Sequence, residues 1–409
     1  MPQPKEKIVP RGESIKFTSI KLRNGWYYFM KIIALIACLL LFNSLFGQHV
    51  SSSKSDSLIN ELYQLQTKKQ SFYNIGQFYT QRGYGRVQDN TIFFDALIAF
   101  TLQGLSAEAS AKSQTYIDSI CKNVKSNYPY YRNISQNHTY NFWKTNPPYF
   151  FPNGRILSGF SHFQIPDDAD CTAMIFLTDS SLTKHATWLQ NKLTEHANLS
   201  HSKIKNTCKP FRGFKAYSTW FGKRMPIEFD ICVQSNVLLF IYKNKLPLTN
   251  QDQETLSLLH EQIITGAYLK NAHYFSPSYK KRSVVLYHLA RLMESATIPS
   301  LQDCRAIVKK DIETELTHTK KFMDRVILST ALIRMKGTPL PIDIPSNVHR
   351  EMDSYVFFRA NLFSSYARPS LKFITKSHLF DIPFYSKAYC LALLAEYEQL
   401  MAKRIRTTR

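Results

Sequence analysis

Cysteine is sparse in this chain, 7 residues in 409, and no CxxC pair or zinc-ligand spacing occurs among them, so a metal-built fold and a metal site are not expected. Also missing are a P-loop, an HExxH motif and any Ser–His–Asp grouping. Nucleotide hydrolysis, zinc proteolysis and triad chemistry therefore have no basis in the sequence, and no cofactor is expected. Acidic residues are scarce as well. Thirty Asp and Glu face 52 Lys and Arg, giving a net charge of +22 and a pI near 9.6, a balance that favours anionic partners. The basic residues are scattered apart from Lys280-Lys281-Arg282 and the tail from Lys403 to Arg409. No stripe with interleaved stacking aromatics forms, so nucleic acid is not an expected partner, whereas a membrane surface is compatible. No Pro-, Gly- or Ser-rich linker divides residues 49–409, which reads as one domain.

The N-terminus is more specific. Ile32 to Phe46 is almost wholly apolar, Lys31 precedes it and Gly47-Gln48 follows as a small-residue cleavage site. About 15 apolar residues suit a signal-peptide core better than the roughly 20 of a spanning helix, although a membrane anchor is the alternative. Residues 1–29 then form a basic extension that precedes a second start at Met30, residues 30–48 the signal or anchor, and residues 49–409 an exported domain, periplasmic or extracellular. Uncleaved, residues 30–47 tether it. Leu35-Ile36-Ala37-Cys38 is lipobox-like, but the apolar run continues behind the cysteine and argues against lipidation. The other six cysteines leave any pairing open.

Beyond the signal, apolar residues recur at three and four: Leu58, Leu62, Leu65; Phe93, Phe94, Leu97, Ile98, Leu102; Ile117, Ile120, Cys121, Val124. That period predicts helices. They come in pairs with short links: 90–104 with 107–127, 168–178 with 181–197, 229–243 with 250–270, 280–295 with 299–317, 319–336 with 346–364, and 384–405 closing against a helix near 54–70. Short links force consecutive helices antiparallel, and about six hairpins in a ring make an all-α, double-layered α/α toroid; an open solenoid uses similar units. Two long irregular stretches, Tyr128 to Pro166 and Asn198 to Ile227, are rich in aromatics and are expected to cover or line something.

One turn suggests chemistry. Asp168-Ala169-Asp170-Cys171-Thr172-Ala173 places two carboxylates, a thiol and a hydroxyl at the start of an apolar helix. In the plain reading the acids cap the helix, and the helix end keeps them ionised. In the functional reading Asp170 is buried and neutral, Asp168 supplies the like charge that keeps it so, and Cys171 and Thr172 hydrogen-bond it and orient its proton. A neutral carboxylic acid of this kind protonates an alkene.

These residues resemble the Asp-x-Asp-Asp-Thr-Ala motif of class II terpene cyclases of the squalene–hopene type and the Asp-Cys-Thr-Ala of oxidosqualene cyclases. Asp170 stands at the position of the family's protonating acid. The resemblance implies an α/α toroid, an isoprenoid-like lipid substrate, and a role for Cys171 in polarising the acid. Pro226-Ile227-Glu228-Phe229-Asp230 with Asn236-Val237-Leu238 is similar to another helix-pair entry in toroid proteins related to terpenoid cyclases and prenyltransferases.

The candidate catalytic residues are therefore Asp170, Asp168 and Cys171. Trp143, Trp220 and Phe221 are candidates for substrate contact and cation stabilisation, His162 for tuning the acid, and Asp230 for the same cavity end. An apolar small molecule or lipid is the expected ligand. The rival readings are a carbohydrate-active toroid, which needs two carboxyls across an open cleft with Asp168 and Asp230 as the test pair, and a non-catalytic exported binding protein.

Overall fold

The helices sort into two kinds by the breadth of their apolar surface, and that difference sets the architecture. The computed structural model describes Ile33 and residues 54–146, 165–222, 225–361, 364–366, 368 and 380–408. The chain divides between Ser51 and Ser52, and everything below concerns the unit that begins at Ser52. The expected signal or anchor lies outside the described residues, Ile33 apart. No helix among the described residues is long and apolar enough to cross a membrane.

The described helices are α1 (54–65), α2 (Ile92–Leu105), α3 (Ala111–Lys125), α4 (Ala169–Thr178), α5 (Ala186–Glu195), α6 (Ile231–Lys243), α7 (Asn250–Ile264), α8 (Ala267–Lys270), α9 (Ala272–Phe275), α10 (Arg282–Ser295), α11 (Cys304–His318), α12 (Phe322–Arg334), α13 (Val348–Ser354) and α14 (Lys387–Thr408). In α6 every residue from Ile231 to Ile241 is buried, and in α10 every residue from Ser283 to Met293. A helix apolar all round must be covered all round. By contrast α3 buries only Ser113, Ile117, Ile120, Cys121 and Val124, and α11 only Cys304, Val308 and Ile312, the stripe of a helix with one wet face.

Six helices of the first kind pack in cyclic order: α2 on α4, α4 on α6, α6 on α10, α10 on α12, α12 on α14, and α14 back on α2. Four others lie against them, α3 on α2, α7 on α6, α11 on α10 and α12, and α13 on α12 and α14. α1 docks on α14, where Ser55 Oγ donates to the Ala395 carbonyl at 3.3 Å. Each fully buried Leu or Ile in such a core is worth about 1.5–3 kcal/mol.

The six inner helices start at the same end. Phe358 packs against Phe93 and Phe94 in the first turn of α2 and against Tyr279 just before α10. Its neighbour Phe357 meets Tyr389 in the first turn of α14. Asp324, in the first turn of α12, accepts from Ser283 Oγ in the first turn of α10 at 2.7 Å. Asp170 in the first turn of α4 reaches Tyr279, and Asp230 at the start of α6 accepts the Ser278 N–H at 2.9 Å.

A small antiparallel sheet was not anticipated. β1 (Thr80–Arg82), β2 (Val87–Asp89), β3 (Val356–Asn361) and β4 (Asp381–Tyr385) lie in the order β2-β1-β4-β3, so chain segments some 300 residues apart pair directly. The expected helix at 346–364 is thereby corrected: helix α13 ends at Ser354 and Val356-Phe357-Phe358 continues as strand. β-branched and aromatic residues fit a pleated, half-buried surface, and pairing with β4 over-rides the local helical period. The fold is mostly helical with this sheet added.

Gly76 fixes the turn between α1 and β1. Its φ is +89°, and a Cβ there would lie 2.6 Å from the Asn123 carbonyl oxygen of α3. Substitution Gly76→Ala should therefore cost about 1–3 kcal/mol, from the positive φ and from the overpacking together. Urea unfolding followed by circular dichroism measures it; an unchanged midpoint would show that this turn does not hold α1 to α3.

Candidate functional site

Three of the acids at the helix starts have different tasks. Asp168 is the N-cap of α4, and its Oδ1 accepts the Cys171 N–H at 2.6 Å. Asp230 is the N-cap of α6, accepting from the N–H of Cys232 at 2.9 Å and of Val233 at 3.5 Å, and it ties down the following loop through the Ser278 N–H and Ser276 Oγ. Asp170 does neither. Its Oδ1 accepts from Asn236 Nδ2 of α6 at 2.6 Å, and its Oδ2 accepts from the Tyr279 hydroxyl. The acid at the motif's functional position is thus held by side chains, because Asp168 already serves the helix end.

Asn236 is itself held. Its Oδ1 accepts from Arg291 Nη2 of α10, so its amide must face Asp170 with the nitrogen. Arg291 lies 2% exposed, its guanidinium 5.1 Å from the Phe100 ring of α2 and 5.4 Å from the Tyr287 ring. A line of side chains, Tyr279–Asp170–Asn236–Arg291, therefore crosses three inner helices and reaches towards a fourth. All four are buried.

Burial dominates the protonation of this group. It raises the Asp170 carboxyl above the ordinary carboxylate range, against the opposing pull of Asn236, Tyr279 and Arg291. Burial raises Asp168 to about 8, with the charges of Asp170 and Asp167 adding to it, and Asp230 to about 7. Tyr279 is raised well above the usual phenol value, first by burial and then by Asp170. His288, whose ring is tilted at 60° to that of Tyr279 with centroids 4.8 Å apart, is lowered well below 6.5 by burial and by Arg291.

Cys171 and Thr172 do not orient Asp170. They follow it by one and two positions, and neighbours so spaced face different ways around a helix. The Cys171 thiol lies against Asp168, and burial first and that charge second raise it far above 9. The Thr172 hydroxyl donates to the Asp168 carbonyl at 2.7 Å and accepts the Tyr140 N–H at 3.0 Å. Both brace the turn.

The expected aromatic partners are placed elsewhere. Trp143 donates from Nε1 to Asp89 at 3.0 Å and packs under Arg82, which pairs with Asp89 at 3.1 Å beside the sheet. Trp220 bridges backbone to backbone with Asp168 and donates its indole N–H to Glu228 at 3.1 Å. Phe221 donates its N–H to the Asp167 carbonyl at 3.1 Å and sets its ring against His196. Trp220 and Phe221 thus position the backbone of the acidic turn, and the ring that touches Asp170 is Tyr279, with His288 and Phe357 packed against that ring. His162 lies outside the described residues.

Tyr279 and Arg291 were not singled out in the sequence. Tyr279 sits in the link before α10, beside lysines that read as a surface cluster. Arg291 did leave a signal: it is the one strong cation in the otherwise apolar run from Val284 to Met293, and a charge inside a fully buried helix needs a reason.

The six cysteines Cys121, Cys171, Cys208, Cys232, Cys304 and Cys390 are free thiols. Among the described residues one group has metal-ligating atoms close together, His260, Asp303 and Cys304, all within 4.8 Å of one another. Asp303 there accepts from His260 at 2.8 Å and caps α11, whose positive end opposes a cation. No family model matches the chain, and no curated protein matches it in sequence.

The raised acids set a pH dependence. A carboxyl whose folded pKa lies above its unfolded value near 3.8 binds its proton more tightly in the native state, so its contribution to stability is complete at low pH and is lost as pH rises towards the folded value. Asn caps a helix as well as Asp does, so Asp168→Asn removes the titration and keeps the cap. Between about pH 5 and pH 8 the urea midpoint of the variant should fall less steeply than that of the wild type. Parallel curves would mean that Asp168 is ionised in the native state.

Proposed function

We propose that residues 52–409 form an α/α toroid, with the six cyclically packed helices as its inner layer, and that Asp170 is a general acid acting on an apolar, isoprenoid-like lipid by proton-initiated cyclisation or isomerisation. The observation that carries this reading is the binding of Asp170: a buried carboxyl held by Asn236 and Tyr279, relieved of helix capping by Asp168. A proton donor to an alkene must be neutral near pH 7, and burial acts on Asp170 in that direction. The acid proton then sits on Oδ2, where the Tyr279 hydroxyl, the donor to the ionised form, becomes its acceptor.

The chemistry then balances within the site. Asp170 gives its proton to one carbon of a C=C bond, the π electrons form the new C–H bond, and the cation appears at the other carbon. Tyr279 and Phe357 offer ring faces near that charge. The carboxylate left behind accepts from Asn236 and Tyr279, and Arg291 stabilises it through Asn236. Attack by a second alkene closes a ring, and an adjacent carbon then gives up a proton, directly or through water, to the Asp170 carboxylate, which restores a double bond and the neutral acid, so the net change is isomerisation.

The carbohydrate reading is less well supported, because Asp168 and Asp230 are both buried and each is committed to the backbone of its own helix. The apolar run Ile32–Phe46 supports export by a signal or anchor, and the basic surface supports contact with anionic lipid.

Purified protein incubated with a panel of linear isoprenoids tests the reading. Wild type should convert at least one of them, Asp170→Asn should lose more than about 100-fold in turnover while keeping its helical circular dichroism, and Tyr279→Phe should lose about 10-fold or more. Absence of any conversion by wild type, or equal conversion by Asp170→Asn, would contradict acid catalysis and favour a binding role.

A further inference from the structure

The charge inside the ring is incompletely matched. Arg291 is permanently cationic and 2% exposed, yet its one described hydrogen bond runs from Nη2 to Asn236, and Nε and Nη1 have no partner among the described residues. Leaving buried guanidinium donors unpaired is costly, and the two rings beside it offset only part of that cost. Among the described residues, His288 Nε2, three residues earlier on α10, and the Tyr389 hydroxyl in the first turn of α14 are buried and likewise without a partner. The Phe357 ring lies against both, with centroids 5.8 Å from His288 and 4.8 Å from Tyr389, and the charge of Arg291 acts on both.

The nearby acids do not balance Arg291. Glu396 is taken by Arg334 at 2.5 Å and by Tyr287 at 2.7 Å, and Asp230 by backbone N–H groups. Asp170 is reached only through Asn236, and a neutral Asp170 supplies no counter-charge at all.

We propose that the ring interior holds a carboxylate-binding site, in which the free N–H donors of Arg291 and the hydroxyl of Tyr389 take the oxygens of a monoanionic carboxyl group on an otherwise apolar ligand. This rests on the lipid reading and specifies the polar end of the ligand. His288 has the opposite polarity. Its Nδ1 donates to the Val284 carbonyl at 2.8 Å, which leaves Nε2 as an acceptor for the O–H of a water that accompanies the carboxylate. A single guanidinium balances a single negative charge. Phosphate or diphosphate needs more cations, and the two lysines just before α10 are engaged elsewhere, Lys280 with Asp381 at 2.6 Å and Lys281 with Asp324 at 3.5 Å.

Titration calorimetry of the full chain with decanoate, decanol and inorganic phosphate tests the site. Decanoate should bind once per chain and at least about 10-fold more tightly than decanol. Tyr389→Phe removes a hydroxyl that has no partner, so it should leave folding unchanged and weaken decanoate about 3- to 10-fold. Arg291→Met should weaken it about 100-fold or abolish it. No decanoate binding, equal binding of decanol, preferential binding of phosphate, or decanoate binding unchanged in Tyr389→Phe would overturn the proposal. Asp170→Asn separates the two readings, since decanoate should still bind to it whether or not wild type converts an isoprenoid.

Discussion

The hydrogen bond from Asn236 to Asp170 is the contact on which the functional account depends. It exists because Arg291 occupies the other side of the same amide, which fixes the amide's orientation, and because Asp168 has freed Asp170 from the helix end. Remove either condition and Asp170 reverts to an ordinary first-turn acid, ionised by the amides of α4. With both in place, an acid, an amide and a guanidinium from three different helices become one buried unit.

Such a unit is expensive to bury, and the architecture explains how it persists. Six inner helices begin at one end, so their positive ends converge on the aromatic cluster of Phe93, Phe94, Phe357, Phe358 and Tyr389. Acids at the starts of α2, α4, α6 and α12 offset that field, two of them as caps. Asp95, for instance, accepts the Phe78 N–H at 3.0 Å, and burial still raises it to about 7. Burial raises Asp95, Asp168, Asp170 and Asp230 against the groups that hydrogen-bond them. At Asp170 both carboxyl oxygens are met by side chains, Asn236 from α6 and Tyr279 from the link before α10.

Much of the helical framework could be read from the sequence, because apolar period is a local property. The stripes of α3 and the all-round burial of α6 and α10 follow from their residues, and the starts of α4 and α6 were marked by Asp168 and Asp230. The sheet was invisible for the opposite reason: β1 and β4 make sense only when paired, and more than 300 residues separate them. In the site, the motif marked Asp170 but not the side chains that hold it. Cys171 and Thr172 are adjacent in sequence and face away, whereas Asn236, Tyr279 and Arg291 are brought in by the packing of α4, α6 and α10, which no local pattern records. Trp143 and Trp220 were drawn to the site by composition, and hydrogen bonds to Asp89 and Glu228 seat them elsewhere.

The protonation state of Asp170 in the folded protein decides the account most directly. Infrared difference spectroscopy of wild type against Asp170→Asn at pH 7, with aspartate carboxyls isotopically labelled, isolates that one group from Asp168 and Asp230. The account predicts the carbonyl band of a protonated carboxylic acid in the wild type, absent from the variant. A carboxylate band at this position instead would leave Asp170 as the counter-ion of Arg291, and the network as a structural one.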